Sequence, residues 1–344
     1  MAGLLTPTER GLFCPAGDFY IDPWRPVDFA VITHAHSDHA RPGSKHYLTV
    51  DRGADVLRVR LGDALNLQTL PFGVPVNRNG VSISFHPAGH VLGSAQVRLE
   101  HHGEVWVVSG DYKLEPDPTC DPFEPVPCHT FVTESTFGLP IYHWPPPAEI
   151  FSEINAWWRD NQTRQRTSIL FGYGLGKAQR LLAGLDPSLG PLFAHGAVQR
   201  FLPVYAAAGI QLPPVHFASD ENVRAAEGRG LVLAPPTADT SPWLRKFGDV
   251  STAFASGLMQ VRGHQRHRAL DRGFVLSDHA DWPGLIKTIR QTGAEKVWVT
   301  HGHTDTMVRW LRENGWAAEV IRTEFKNESL VVDETISNSN SPAP

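Results

Sequence analysis

Cysteine is scarce: Cys14, Cys120 and Cys128 are the three in 344 residues, scattered and without CxxC spacing. That excludes a disulfide framework and a zinc knuckle and leaves structural thiols as the expectation. No apolar run approaches the length of a membrane-crossing helix, and the N-terminus lacks the basic and apolar regions of a signal peptide. A cytoplasmic protein with no membrane partner is therefore expected. Basic excess is missing as well. The 31 Lys and Arg residues fall short of the 36 Asp and Glu, a net charge of −5 that argues against coating nucleic acid electrostatically. It does not exclude an enzyme that holds a phosphodiester locally, because bound metal ions add charge that a sequence count omits. What the chain has in abundance is histidine. Its 17 histidines include several at spacings of one, two or three, a pattern that points to metal ligation.

The pattern along the chain changes once. Strands are predicted at GDFYID (17–22), FAVIT (29–33) and VSISFHP (81–87), and AQVRLE to EVWVVS reads as a hairpin turning at 101–103. FVTES (131–135) closes this half. GLPIYHWPPP (138–147) then breaks the rhythm, and its three consecutive prolines suit a semi-rigid connector between domains. Beyond it, helix and strand alternate. Ile150, Ile154, Trp157 and Trp158 form an amphipathic helical stripe expected in a core. TSILFGYG (167–174) is a strand running into a glycine turn, LGKAQRLLAGL (175–185) a helix, and LFAHGAV (192–198) and GLVLAPP (230–236) further β/α units. Strands return at GFVLSDH and KVWVTHGH, each followed by a helix, and a Ser/Asn/Pro-rich, disordered tail is expected from about Thr335.

The decisive segment is AVITHAHSDHA, an apolar strand running into His34-x-His36-x-Asp38-His39. Residues i and i+2 at a strand terminus share a side. His34 and His36 can therefore converge on one ion while the turn sends Asp38 and His39 to a second. Further ligands stand at other strand ends: His90 in FHPAGHVLGSA, Asp111 after VWVVSG, and His301 after KVWVT. The expected set is His34, His36 and His90 on one ion, Asp38, His39 and His301 on the other, and Asp111 between them. His303, two positions beyond His301, is the alternative to it. Imidazole and carboxylate suit zinc, manganese or iron, and a water held by such ions ionises near neutral pH.

These residues resemble motifs two, three and four of the metallo-β-lactamases, with Asp22 in YIDPW where the motif-one aspartate stands. The resemblance implies that Asp22 steadies the ligand loop from behind. VTESTFG (132–138), FVLSDHADW (274–282) and VTHGH (299–303) are similar to motifs A, B and C of the β-CASP nucleases, with Glu134, His279 and His301 as their motif residues. What this implies is an α/β fold, a metallo-β-lactamase αββα sandwich with an inserted β-CASP α/β domain. The expected divisions are 1–144 and 263–332 for the sandwich, 145–262 for the insertion and 333–344 for the tail. Nearly the whole chain, through GLFCPAGDFYIDPWRPVDFAVITHAHSDHARPGS and VWVVSGDYKLEPDPTCDPFEPVPC, resembles the bacterial ligase-associated DNA exonucleases.

The resemblance implies a metal-dependent DNA exonuclease with two divalent ions, zinc or manganese, acting on single-stranded DNA ends in repair. It also implies functional association with an ATP-dependent DNA ligase, a helicase and a metallophosphoesterase. His301 cuts the other way: eukaryotic DNA-specific members carry valine at motif C, and RNA-processing members histidine. An RNA-processing nuclease is thus the alternative, and a small-molecule metallohydrolase a third reading that motifs A and B disfavour. The expected catalytic group is His279, Glu134 and Asp38. His279 protonates the leaving oxygen, and Glu134 orients that imidazole. For substrate contacts the candidates are Lys177 at a helix start, the cluster Arg159, Arg164 and Arg166, and the cluster Arg262, Arg266, Arg268 and Arg272, although most such clusters are solvated faces.

Overall fold

A computed structural model describes residues 3–239, 241–261 and 270–323. Arg262, Arg266 and Arg268, and the tail 333–344, lie outside the described residues. The fold is α/β with mixed sheets, and the chain divides into two compact units. Unit 1 comprises Met1–Leu114, Asp121–His143 and His279–Pro344; unit 2 comprises Glu115–Cys120 and Trp144–Asp278.

Unit 1 contains two sheets. The first runs in order β1 (Thr6–Thr8), β2 (Gly11–Cys14), β3 (Phe19–Ile21), β4 (Phe29–Val31), β5 (His46–Val50), β6 (Leu67–Leu70), antiparallel as far as β3 and parallel from β3 onward. The second has seven strands: β7 (Val76–Arg78), β8 (Val81–Pro87), β9 (Ala95–His101), β10 (Glu104–Val108), β11 (Thr130–Ser135), β18 (Lys296–Gly302) and β19 (Ala317–Val320). Alternation along these strands separates two cores, because successive side chains point to opposite faces. Trp106 and Val108 of β10 and Val132 of β11 face a core shared with Leu12, Ile21, Val31 and Leu48 of the first sheet. Val107, Phe131, Val297 and Val299 face the other way, against Leu285 and Ile289 of helix Trp282–Thr292 and Met307 and Leu311 of helix Thr304–Glu313. The predicted hairpin joins β9 to β10, with His102 and Gly103 both at positive φ (51° and 80°), the pair of conformations a two-residue turn between twisted strands requires.

Unit 2 is built on an all-parallel sheet in order β14 (Val215–Phe217), β13 (Leu192–Ala194), β15 (Leu231–Ala234), β12 (Thr167–Phe171), β16 (Val250–Ala255), β17 (Arg272–Phe274). Its central strand β12 is buried along its whole length, as a parallel strand covered on both faces must be. Ile154, Trp157 and Trp158 of helix Pro147–Thr163 pack in its core, as their stripe predicts. Helix Lys177–Gly184 follows β12.

The later domain crossing differs from the expected 262/263. β17 pairs with β16, from Ala253↔Arg272 to Ala255↔Phe274, so the chain up to Asp278 belongs to unit 2. Strand pairing, which no local pattern reveals, moves that boundary. No helix among the described residues is long and apolar enough to cross a membrane.

Candidate metal centre

All the ligand candidates lie in unit 1, His301 within β18 near its end and the others in loops that follow an apolar strand. After β4 the backbone leaves the sheet and turns, with the amides of His39 and Ala40 donating to His36 O (3.2 and 2.8 Å). This turn carries His34, His36, Asp38 and His39. His90 lies in the loop from β8 to β9, whose shape is held by Ser94 Oγ accepting from the amides of His90 and Val91 (3.0 and 3.1 Å). Asp111 follows β10 through Gly110. A Cβ on Gly110 would meet the Thr33 side chain at 2.7 Å, so glycine is what lets the two loops close together.

His301 is aimed by a bulge. β11 and β18 pair Glu134 with Thr300 and then Ser135 with Gly302, so His301 is the extra residue, at φ 52°. A bulge of this kind redirects a side chain out of the sheet's alternation. Gly302 beside it has φ 77°, and a Cβ there would lie 2.0 Å from Ser135 O. Gly302→Ala should therefore destabilise by more than about 1 kcal/mol, because the alanine would be strained and the bulge must open. A thermal midpoint equal to wild type would contradict this.

The side chains converge. His34, His36, His90 and Asp111 can offer ligand atoms that all lie within 4.8 Å of one another, and so can Asp38, His39 and His301. These are the two expected sets. Asp111 Oδ2 is the common point: it lies 3.4 Å from His39 Nε2, 3.5 Å from His34 Nε2 and 3.8 Å from His90 Nε2. His36 presents Nδ1, 3.0 Å from His90 Nε2. His303 joins neither set; its ring stands against Tyr142 instead, centroids 6.2 Å apart. A third group, Asp111, Glu134 and His279, also meets the 4.8 Å criterion.

The donor chemistry fits divalent cations. Among the described residues, Nε2 of His34 and Nε2 of His39 are buried with no hydrogen-bond partner, an arrangement that a bound cation would satisfy and that is costly otherwise. Their Nδ1 atoms are engaged from behind. Asp22 accepts from the Thr33 amide (2.8 Å), the Thr33 hydroxyl and His39 Nδ1 (2.7 Å). Since the Thr33 hydroxyl donates to Asp22, it can only accept from His34 Nδ1, 3.1 Å away. One carboxylate thus sets the tautomer of both imidazoles, directly for His39 and through Thr33 for His34, and turns their Nε2 lone pairs inward.

Burial and mutual charge shift these groups in opposite directions. Burial is the largest influence on His34 and, with the neighbouring imidazoles, pushes its pKa well below the usual histidine value. Burial also dominates His301 and lowers it. For His39 burial pulls down, but Asp111, Asp38 and Asp22 together raise the pKa well above the usual value. Burial likewise opposes ionisation of Asp111, yet His39, His279 and His34 hold its carboxyl well below the ordinary range.

Beside this centre, His279 Nδ1 lies 3.0 and 3.1 Å from the two carboxylate oxygens of Glu134, which also accepts from the Tyr112 amide at 2.8 Å. A carboxylate only accepts, so Nδ1 carries the proton and Nε2 is left to exchange one. The His279 ring is 4.7 Å from that of His90, and both His279 and Glu134 are buried.

Sequence reasoning passed over Thr33 and Thr300. Both precede a ligand candidate, and each Oγ1 sits 3.1 Å from Nδ1 of the following histidine. The signal was legible: Thr-His ends two apolar strands, in AVITH and KVWVTH. Thr300→Val should weaken metal affinity about tenfold or more, with Thr300→Ser restoring it. Titration of metal-depleted protein reads this directly, and equal affinities for all three would refute it.

The substrate-contact candidates need correction. Lys177 is buried, its Nζ donating to Leu276 O (2.7 Å) and paired with Asp278 (2.9 Å). It faces no surface at which to meet a phosphate. Arg164 pairs with Asp160, Arg166 with Asp249 and Asp271, and Arg272 with Glu153. Three of the seven arginines in the two clusters are thus paired with carboxylates, and Arg159 is exposed.

No family model matches the chain. A protein of Opitutus terrae described as a probable DNA ligase is 31% identical over 91% of this chain and 30% of its own length. Endoribonuclease YSH1 of Saccharomyces cerevisiae is 26% identical over 47% of this chain and 20% of its own. A ribonuclease of Thermus thermophilus is 30% identical over 35% of this chain and 34% of its own. The chain therefore spans about a third or less of these curated relatives. A crystal structure of a protein of unknown function from Enterococcus faecalis matches with a TM-score of 0.59 over 86% of this chain and 79% of that one, at 12% identity. That likeness concerns the fold alone.

Proposed function

We propose that the chain is a two-metal phosphodiesterase of the metallo-β-lactamase/β-CASP type, a DNA exonuclease acting on single-stranded ends in the cytoplasm during DNA repair. The relatives named as endoribonucleases and ribonuclease support a metal-dependent nuclease. The observation that carries the reading is the convergence of three Nε2 atoms on Asp111 Oδ2, with His279 and Glu134 beside them. Support for DNA comes from the ligase-named relative, in which a segment matching 91% of this chain lies within a longer protein. An association with an ATP-dependent DNA ligase belongs to the same proposal.

His34, His36, His90 and Asp111 would hold one ion and Asp38, His39 and His301 the other. When bound, zinc or manganese would lower the pKa of a water and offset the charge of a phosphodiester. The protein's own residues do the rest. Asp22 and Thr33 keep the imidazoles of His34 and His39 presented through Nε2. Glu134 holds the proton on His279 Nδ1 and orients the ring, so that a protonated Nε2 can donate to the departing sugar oxygen.

RNA is the second reading, favoured by His301 and by the ribonuclease-named relatives. End-labelled single strands of DNA and RNA of one sequence, digested with manganese or zinc after chelation, test both. Progressive shortening of DNA supports the proposal, and rapid cleavage of RNA with DNA intact overturns it in favour of the second reading.

A further inference from the structure

Helix Trp282–Thr292 starts directly after His279, at Asp281, whose side chain accepts from the Gly284 amide at 2.9 Å. With helix Thr304–Glu313 it encloses an open groove of about 440 Å³ lined by Trp282, Ile286, Lys287, Arg290, Trp310 and others, none of them acidic. Trp282 and Trp310 meet edge to face, centroids 5.6 Å apart at 82°, so their planes form a corner instead of closing on each other. Both indoles are partly exposed, and Lys287 and Arg290, one turn apart on the same helix face, are exposed.

We infer that this groove is a binding subsite for single-stranded nucleic acid: bases stack in the indole corner while Lys287 and Arg290 contact phosphates. The inference rests on the nuclease reading and extends it to how a strand is held. Three observations favour a nucleic acid over a protein. The lining carries two cations and no carboxylate in a chain whose net charge is −5. Lysine is depleted at protein interfaces, whereas aromatic faces beside cations are the usual platform for single strands. The volume suits one or two nucleotides, within the range of small-ligand pockets and far below a standard protein interface. The groove also connects to the centre. The Trp282 amide donates to Tyr142 O (3.2 Å), the Tyr142 ring packs on Phe137 (4.8 Å), and Phe137 packs near His279 (6.0 Å).

The test is fluorescence anisotropy of a labelled oligothymidylate with the full chain under chelation, so that binding is read without cleavage. Trp310→Ala should weaken binding about 5- to 100-fold, and Trp310→Phe, which keeps a ring, should stay within about threefold of wild type. Lys287→Ala with Arg290→Ala should flatten the slope of log affinity against log salt by about 1.4. Wild-type affinity and slope in every variant overturn the inference, and so does equal weakening by Trp310→Phe and Trp310→Ala. The nuclease reading fails by a different observation: a metal-loaded wild type that binds the strand and cleaves neither DNA nor RNA.

Discussion

Asp111→Ala should leave the protein unable to retain metal and lower turnover by about a thousandfold or more. Its Oδ2 atom lies within 3.4–3.8 Å of Nε2 on His34, His39 and His90, so its loss removes the one carboxylate oxygen these three imidazoles share. Losing a charged ligand forfeits several kcal/mol of transition-state stabilisation, and each 1.36 kcal/mol is tenfold in rate. Asp111→Asn keeps the shape and removes the charge, and is expected to retain metal weakly. Elemental analysis after dialysis measures the metal directly. Full occupancy together with wild-type turnover in Asp111→Ala would remove Asp111 from the centre.

His279→Ala should lower kcat about 10²- to 10⁴-fold while metal content stays at the wild-type value. The loss should depend on the leaving group. A nitrophenyl phosphodiester, whose leaving oxygen needs no proton, should be hydrolysed nearly as fast by the variant as by wild type. Glu134→Gln should show the same dependence at smaller amplitude, because it removes the carboxylate that Nδ1 faces at 3.0 Å. Since Asp111, Glu134 and His279 also lie close enough to share an ion, metal analysis is decisive. Loss of metal from His279→Ala would make His279 a ligand and not a proton donor.

The candidate ligand clusters were legible because each residue sits at or just past the end of an apolar strand and the densest part, His34 to His39, lies within one turn. Short-range spacing carries such information. What local pattern could not carry was tertiary pairing. Lys177 looked like a residue at a helix start, but its ammonium faces Asp278, just over a hundred positions later in the chain. Arg166 read as a free cation until Asp249 and Asp271 stood beside it. GFVLSDH was expected within the second part of the sandwich domain, and the pairing of Arg272–Phe274 with β16 instead places the chain as far as Asp278 in unit 2. The short strands β1, β2, β6 and β7 carry too few residues for alternation to show. Trp282 and Trp310 come from different helices, and only packing makes a groove of them.

Ligand order along the chain has a consequence for synthesis. His34, His36, His90 and Asp111 are translated early and close together, whereas His301 follows Asp111 by 190 positions. At usual translation rates the interval is roughly 10–40 s. The first set can capture an ion on the nascent chain, but Asp38 and His39 must wait for their third partner. His279 arrives in the same late stretch. A nascent chain translated only as far as Asp111 therefore carries the first candidate set without the third member of the second, and without His279.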